Sequence, residues 1–275
     1  MTLQRVGVLG GGRMGAGIAH AFLMTGANVV VVDIDPAGPT QRITRDVEKS
    51  IERGASGSAT DYLDRLTCTS NVSDFAGCEL VVEAIPEDFS LKAKAFTDIA
   101  AAAPEAVIAS NTSSLSVTDL AATVPNSEVI GLHFFNPVPA SKLVEIVVAE
   151  TTSEDLVTQA KEWVAALGKT PIVVKDSPGF ASSRLGVVIA LEAIRMVEEG
   201  VASPEDIDNA MVLGYKFPVG PLALTDIVGL DVRLGISEYL ASTLGERFEP
   251  PALMREMVAR GELGRKTGKG FYTYE

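Results

Sequence analysis

Seven short runs rich in Val and Ile, each separated from the next by a stretch of helical periodicity, fill residues 5–174 and constrain the fold more than any other feature of this chain. They fall at 6–9, 29–32, 80–84, 107–109, 129–133, 144–148 and 172–174. Runs that are continuously apolar, not alternating, suit strands covered on both faces. Strands joined through helices need crossover connections and pair in parallel, so the expectation is a mostly parallel α/β sheet with helices on both sides. The pattern stops at Asp176-Ser177-Pro178-Gly179, where Pro and Gly punctuate the chain. Everything beyond reads as helix: 185–199 is amphipathic up to Gly200, Ser203-Pro204-Glu205-Asp206 is a helix start with N-cap, proline and acid in order, and further helices are expected over 226–244 and 251–260. Two domains follow, 1–176 and a smaller all-α domain over 177–275.

The first strand runs into Gly10-Gly11-Gly12-Arg13-Met14-Gly15, which satisfies G-x-G-x-x-G through Gly10, Gly12 and Gly15. Between a strand and a helix this pattern gives a tight turn, lets the backbone approach a pyrophosphate, and leaves the N–H groups of the helix start, Arg13 and Met14 among them, facing an anion. The next strand ends in Asp33, where a carboxylate accepts the two ribose hydroxyls. It would repel a 2′-phosphate, and Ile34, not arginine, follows it. The first domain is therefore expected to be Rossmann-like and to bind NAD.

Composition narrows the partners. The net charge of −13 opposes binding to nucleic acid and to anionic membrane surfaces. No apolar stretch is long enough to span a bilayer, and the segment opening Met1-Thr2-Leu3-Gln4-Arg5 has no leader-peptide core. Cys68 and Cys78, the two cysteines, have neither metal-ligand spacing nor the density of a disulfide scaffold, so no metal is expected and a reducing cytoplasm fits.

Of the two histidines, His20 lies inside the first helix and reads as packing. His133 ends an apolar strand, the place where open α/β sheets bind ligands. The next strand, Leu143-Val144-Glu145-Ile146-Val147-Val148, holds a carboxylate among apolar residues, and a buried carboxylate needs a partner. Should the two strands be neighbours, Glu145 would fix the tautomer of His133 and favour the imidazolium formed when His133 takes a proton. A buried structural pair is the alternative.

Several separate motifs resemble the short-form 3-hydroxyacyl-CoA dehydrogenase family: Asn111-Thr112-Ser113-Ser114-Leu115, His133-Phe134-Phe135-Asn136-Pro137-Val138-Pro139, Lys142-Leu143-Val144-Glu145, Asp176-Ser177-Pro178-Gly179-Phe180 and Gly264-Arg265-Lys266-Thr267-Gly268-Lys269-Gly270-Phe271-Tyr272. The likeness runs from residue 5 to the C-terminus. It implies NAD-dependent oxidation of a 3-hydroxyacyl-CoA to the 3-oxoacyl-CoA, with His133 as general base and Glu145 orienting it. It implies that Ser113 hydrogen-bonds the reacting oxygen beside the nicotinamide, that Glu87, Lys92 and Asn111 line the cofactor site, Asn111 and Ser113 also bordering the substrate, and that Lys266 reaches the cofactor. It further implies a homodimer formed through the helical domain and a substrate held between the two domains.

Arg42, Arg45, Lys49 and Arg53 recur at helical spacing as a basic stripe on an acidic chain. The family carries phosphate-contacting lysines on this helix, and Lys49 and Arg53 match them, although the segment after Gly54 is shorter than in many relatives. A solvated charged face is the plain reading of the same residues. A clearer departure is Ser183, which stands where the family usually has an asparagine close to the substrate carbonyl. The rival readings are a dehydrogenase of free hydroxyacids, such as a gulonate dehydrogenase, and a non-catalytic crystallin-like NAD-binding protein. The 3-hydroxyisobutyrate-type enzymes fit less well, because they use a lysine base and lack the His-Phe-Phe-Asn-Pro segment.

Overall fold

The structure is a computed structural model, described from Leu3 to Tyr274; Met1 and Thr2 of the segment read for a leader peptide, and Glu275, lie outside that range. The chain divides into two compact units, one running to Ser177 and the other beginning at Pro178.

In the first unit, strands β1 (Arg5–Leu9), β2 (Asn28–Val32), β3 (Leu66–Thr69), β4 (Leu80–Glu83), β5 (Val107–Ser110), β6 (Val129–Phe134), β7 (Leu143–Val148) and β8 (Thr170–Lys175) form one sheet in the order β3-β2-β1-β4-β5-β6-β7-β8. Every pair is parallel except β6 with β7. The sequence reading missed β3, an edge strand of Leu66-Thr67-Cys68-Thr69 that stays half exposed and lacks a β-branched apolar run. Helices α1 (Arg13–Met24), α2 (Ala37–Glu52), α3 (Ala59–Leu63), α4 (Phe89–Ala102), α5 (Val117–Ala121) and α6 (Glu154–Ala166) connect the strands. On α2, Pro39, Ile43 and Val47 recur at four-residue spacing, and all three are buried. His20 of α1 is also buried, and its Nε2 lies 2.9 Å from the Ser50 hydroxyl, tying α1 to α2.

The chain leaves β1 toward β2 and β3 on one side and resumes at β4 on the other. The sheet therefore reverses direction of growth between β1 and β4, and the crevice at the carboxyl ends of these strands is where such sheets bind ligands. The adjacent parallel strands β2, β1, β4, β5 and β6 all end on this edge, at Asp33, the glycine loop, Glu83, Asn111 and His133. With strands about 4.8 Å apart, that row spans about 19 Å.

The second unit is helical: α7 (Ser182–Glu198), α8 (Pro204–Asn209), α9 (Pro221–Val228), α10 (Leu230–Leu244) and α11 (Ala252–Ala259), packed about a core of Leu191, Ile194, Leu222, Leu240 and Met254. Ser203 caps α8, accepting from the Asp206 N–H at 3.1 Å, as the sequence pattern requires. The expected helix over 226–244 is instead two helices, because Gly229 adopts φ 106° and turns the chain between α9 and α10. Asp226, 1 % exposed, receives the Phe271 and Tyr272 N–H groups at 3.0 and 2.9 Å and the Tyr274 hydroxyl at 2.9 Å, so it anchors the C-terminal segment. No helix among the described residues is long and apolar enough to cross a membrane.

Candidate active site

The glycine loop has the shape that its sequence requires. Gly10 sits at φ 93°, and a side chain at Gly15 would come within 1.7 Å of the Gly10 carbonyl oxygen, so helix α1 can approach β1 only with glycine there. A side chain at Gly12 would meet nothing within 4 Å: that side of the loop is open. Gly12 is the N-cap of α1 and no side chain caps it, so the first-turn N–H groups, including those of Arg13 and Met14, face that opening. Asp33 supports the loop from the far side, its Oδ2 accepting the Gly11 N–H at 2.6 Å and its Oδ1 the Asp35 N–H at 3.0 Å. An open cradle of N–H donors beside a carboxylate fits the pyrophosphate and ribose of a dinucleotide.

At the end of β4 lies a polar network that sequence reasoning found only in part. Glu83, fully buried, accepts from Lys92 Nζ at 2.6 Å, from the Ser110 hydroxyl at 2.7 Å and from the Ile85 N–H at 2.8 Å. Lys92 is 1 % exposed and also reaches the Ile85 carbonyl at 3.1 Å and Glu87 at 3.4 Å. Its ammonium thus lies beneath the site and acts on it through Glu87. One oxygen of Glu87 gathers the Thr112 hydroxyl at 2.6 Å and the Ser113 and Ser114 N–H groups at 2.9 and 3.1 Å. The Ser113 hydroxyl lies 3.3 Å from the same oxygen. Burial pushes the Glu87 carboxyl up, but the Lys92 charge and these hydrogen bonds outweigh it and hold Glu87 below the usual range. Asn111 fastens β5 to β6, its Oδ1 accepting the Phe134 N–H at 3.0 Å.

His133 and Glu145 face each other directly across the antiparallel β6–β7 pair. His133 Nδ1 lies 2.7 Å from Glu145 Oε2; Glu145 is fully buried and His133 is 7 % exposed. A carboxylate only accepts, so Nδ1 carries the proton and the proton-accepting atom is Nε2. Gly131, paired with Val147 two residues back on the same face, secures this register: a side chain there would lie 2.6 Å from Val147 Cβ and force the strands apart. The Phe135 ring packs against the imidazole at 4.5 Å between centroids. Lys169 holds the loop that follows, donating to the Val138 and Ser141 carbonyls at 2.6 and 2.5 Å.

The basic stripe on α2 does not act as one. Arg42 turns to the glycine loop, donating to the Gly11 carbonyl at 3.2 Å, and Arg45 lies 3.7 Å from Asp46. Lys49 and Arg53 are exposed and make no ion pair among the described residues. In the helical unit, Lys266 is held by both oxygens of Asp231, at 2.5 and 2.6 Å, and Ser183 lies half-buried in the first turn of α7.

Residues 5–177 match the model of the 3-hydroxyacyl-CoA dehydrogenase NAD-binding domain, and residues 179–274 match that of the C-terminal domain. The chain belongs to the 3-hydroxyacyl-CoA dehydrogenase family. It is 41 % identical over 284 residues to a 3-hydroxybutyryl-CoA dehydrogenase of Mycobacterium tuberculosis, with 99 % of each chain covered. It is 40 % identical over 291 residues to the mitochondrial hydroxyacyl-coenzyme A dehydrogenase of Mus musculus, covering all of this chain and 92 % of that one. Among solved structures it resembles the (S)-3-hydroxybutyryl-CoA dehydrogenase of Ralstonia eutropha, with a TM-score of 0.94, 40 % identity and 99 % of each chain covered.

Within this 3-hydroxyacyl-CoA dehydrogenase, the sheet edge brings together Gly10, Gly12, Gly15, Asp33, Glu87, Asn111, Ser113, His133 and Glu145. Glu83, Gly131 and Lys169 escaped sequence reasoning. Glu83 carried the same signal that singled out Glu145, a carboxylate ending an apolar strand, Leu80-Val81-Val82-Glu83.

Proposed function

We propose that this chain oxidises the 3-hydroxyl of a 3-hydroxyacyl-CoA to the 3-oxo group, reversibly, with His133 as general base. The observation that carries the reading is the buried His133–Glu145 pair at the carboxyl end of β6. Glu145 holds the proton on Nδ1, directs Nε2 to the substrate hydroxyl, and stabilises the imidazolium after Nε2 has taken the proton. The Ser113 hydroxyl, positioned by Glu87, hydrogen-bonds the reacting oxygen. NAD, when bound, would supply the acceptor for the hydride from C3. Arg13, Met14 and the three glycines would hold its pyrophosphate, Asp33 its ribose hydroxyls, and Glu87 and Asn111 would line its site, with Lys92 acting through Glu87 and Lys266 assigned to the cofactor by the family resemblance. Lys49 and Arg53 take the phosphates of CoA, and Ser183 meets the substrate from α7.

Leu224, Ile227 and Val228 at helical spacing on α9, with Val232 on α10, are each at least 38 % exposed, an apolar patch that supports a homodimer formed through the helical unit. The free thiols Cys68 and Cys78 suit a reducing cytoplasm.

The test is NADH formation with 3-hydroxybutyryl-CoA and with free 3-hydroxybutyrate, for the wild type and for His133→Gln. The wild type should favour the thioester, and the variant should keep NADH affinity while losing about 10² to 10⁴ in turnover. Equal rates on thioester and free acid, or near-wild-type turnover by His133→Gln, would overturn the reading.

A further inference from the structure

Glu83 ends β4 with its carboxylate fully buried, in register with Ser110 at the end of β5. The family resemblance assigns no role to either residue. A buried ion pair such as Glu83 with Lys92 is seldom the best route to stability, since apolar side chains of the same volume often hold a fold as well. What the pair supplies, and apolar side chains do not, is direction.

Three parts of the site converge on the two oxygens of Glu83. Its Oε1 accepts the Ile85 N–H at 2.8 Å and Lys92 Nζ at 2.6 Å, and its Oε2 accepts the Ser110 hydroxyl at 2.7 Å. The bond to Ile85 fixes the segment on which the glycine loop rests: a side chain at Gly10 would lie 2.9 Å from the Ala84 carbonyl oxygen and 3.0 Å from Ile85 Cγ2. Ser110, its proton given to Glu83, accepts the Thr112 N–H at 3.1 Å, and the Thr112 hydroxyl donates to Glu87 Oε1 at 2.6 Å. Lys92 closes the circuit, 3.4 Å from Glu87 Oε2. The loops that follow β4 and β5 are thereby tied to one buried carboxylate.

Charge gives this circuit its sense. Two carboxylates share one ammonium, and Lys92 lies nearer to Glu83 than to Glu87. Glu87 therefore keeps Oε1 for Thr112 and for the N–H groups of Ser113 and Ser114. Deprived of the Glu83 charge, the ammonium would close on Glu87, the carboxylate it already faces, and draw it away from the serine loop.

We propose that Glu83 is a positioning residue for the cofactor site: by holding Lys92 off Glu87 and Ser110 beneath Thr112, it sets the place of the Glu87 carboxylate and of Ser113. This rests on the reading that Glu87 and Ser113 border bound NAD.

The experiment measures NAD affinity by calorimetry, with the melting temperature and KM for 3-hydroxybutyryl-CoA, in the wild type, Glu83→Gln, Ser110→Ala, Glu87→Gln, and each of the first two variants combined with Glu87→Gln. Glu83→Gln keeps the size of the side chain and should weaken NAD about tenfold, as expected when one member of a coupled polar network is removed. KM for the thioester should stay within about twofold, because the change acts on the cofactor side. Ser110→Ala strands no charge, so it serves even where Glu83→Gln fails to fold; it should weaken NAD by about threefold or more. In the Glu87→Gln background either change should cost less than about twofold, whereas a merely structural role would exact its full loss in both backgrounds. The proposal is overturned if NAD affinity is unmoved in Glu83→Gln, or in Ser110→Ala should Glu83→Gln not fold. It is equally overturned if the losses add in full to that of Glu87→Gln, or if KM for the thioester rises as much as NAD affinity falls. If Glu87→Gln by itself binds NAD as the wild type does, the reading that Glu87 borders the cofactor fails, a result distinct from any of these.

Discussion

Replacing Glu145 by Gln tests the chemistry of the site with little change in shape. The side chain is fully buried and 2.7 Å from His133 Nδ1, and glutamine keeps its size while losing its charge. Two effects follow. The imidazolium that forms as His133 takes the substrate proton loses a counter-charge about 4 Å away, worth about 4 kcal/mol at an effective dielectric of about 20. Exchange of a charge-assisted for a neutral hydrogen bond gives a lower figure of about 1.5 kcal/mol. The amide adds a second route, since its NH₂ can face Nδ1 and move the imidazole proton to Nε2, the atom that has to accept. Turnover should therefore fall by about 10- to 10³-fold at about 1.4 kcal/mol per tenfold. The assay is kcat with 3-hydroxybutyryl-CoA at saturating NAD, beside NADH affinity and the melting temperature to establish that site and fold persist. A variant that binds NADH, melts as the wild type does and turns over within about threefold of it would refute the pairing as a catalytic device.

Neutralising Lys49 and Arg53 together should raise KM for CoA thioesters at low salt and leave KM for a truncated pantetheine thioester, which lacks the nucleotide phosphates, nearly unchanged; equal losses on both would point to damage in α2 instead. For Glu87 the sign follows from its folded-state pKa, which lies below the ordinary carboxylate value: its stabilising contacts to Ser113 and Ser114 are fully present above about pH 4.5 and are lost as pH falls through the depressed value. NADH affinity followed by fluorescence should weaken over that acid range in the wild type and do so less in Glu87→Gln, and identical acid profiles would remove Glu87 from the cofactor site.

The catalytic edge was legible because its chemistry dictates residue types at fixed positions. A loop that must approach a pyrophosphate needs glycine at 10, 12 and 15, and a strand that buries a carboxylate at 145 advertises an unseen partner. The antiparallel turn of β7 against β6 was not legible, yet the opposition of His133 and Glu145 depends on it, and nothing in the sequence singled out Gly131. The helix expected over 226–244 divided at Gly229 because apolar periodicity carries through a break that only a positive φ creates.

The burial of three cations, Lys92 among them although the family resemblance had assigned it to the cofactor site, stayed hidden for one physical cause. Lys92, Lys169 and Arg233 look like surface residues, since a long cation among helix formers is usually a solvated one. Whether such a cation is buried depends on what another part of the chain leaves open or offers. For Lys92 that is Glu83 at the end of β4, and for Lys169 it is two carbonyls in the loop after His133. For Arg233 it is the side chain that Gly186 lacks. The first two find their acceptors within the chain, so their burial explains how the site is held. Arg233 finds a space and no acceptor among the described residues, so its burial rests on the small size of its neighbour on α7 and not on a partner.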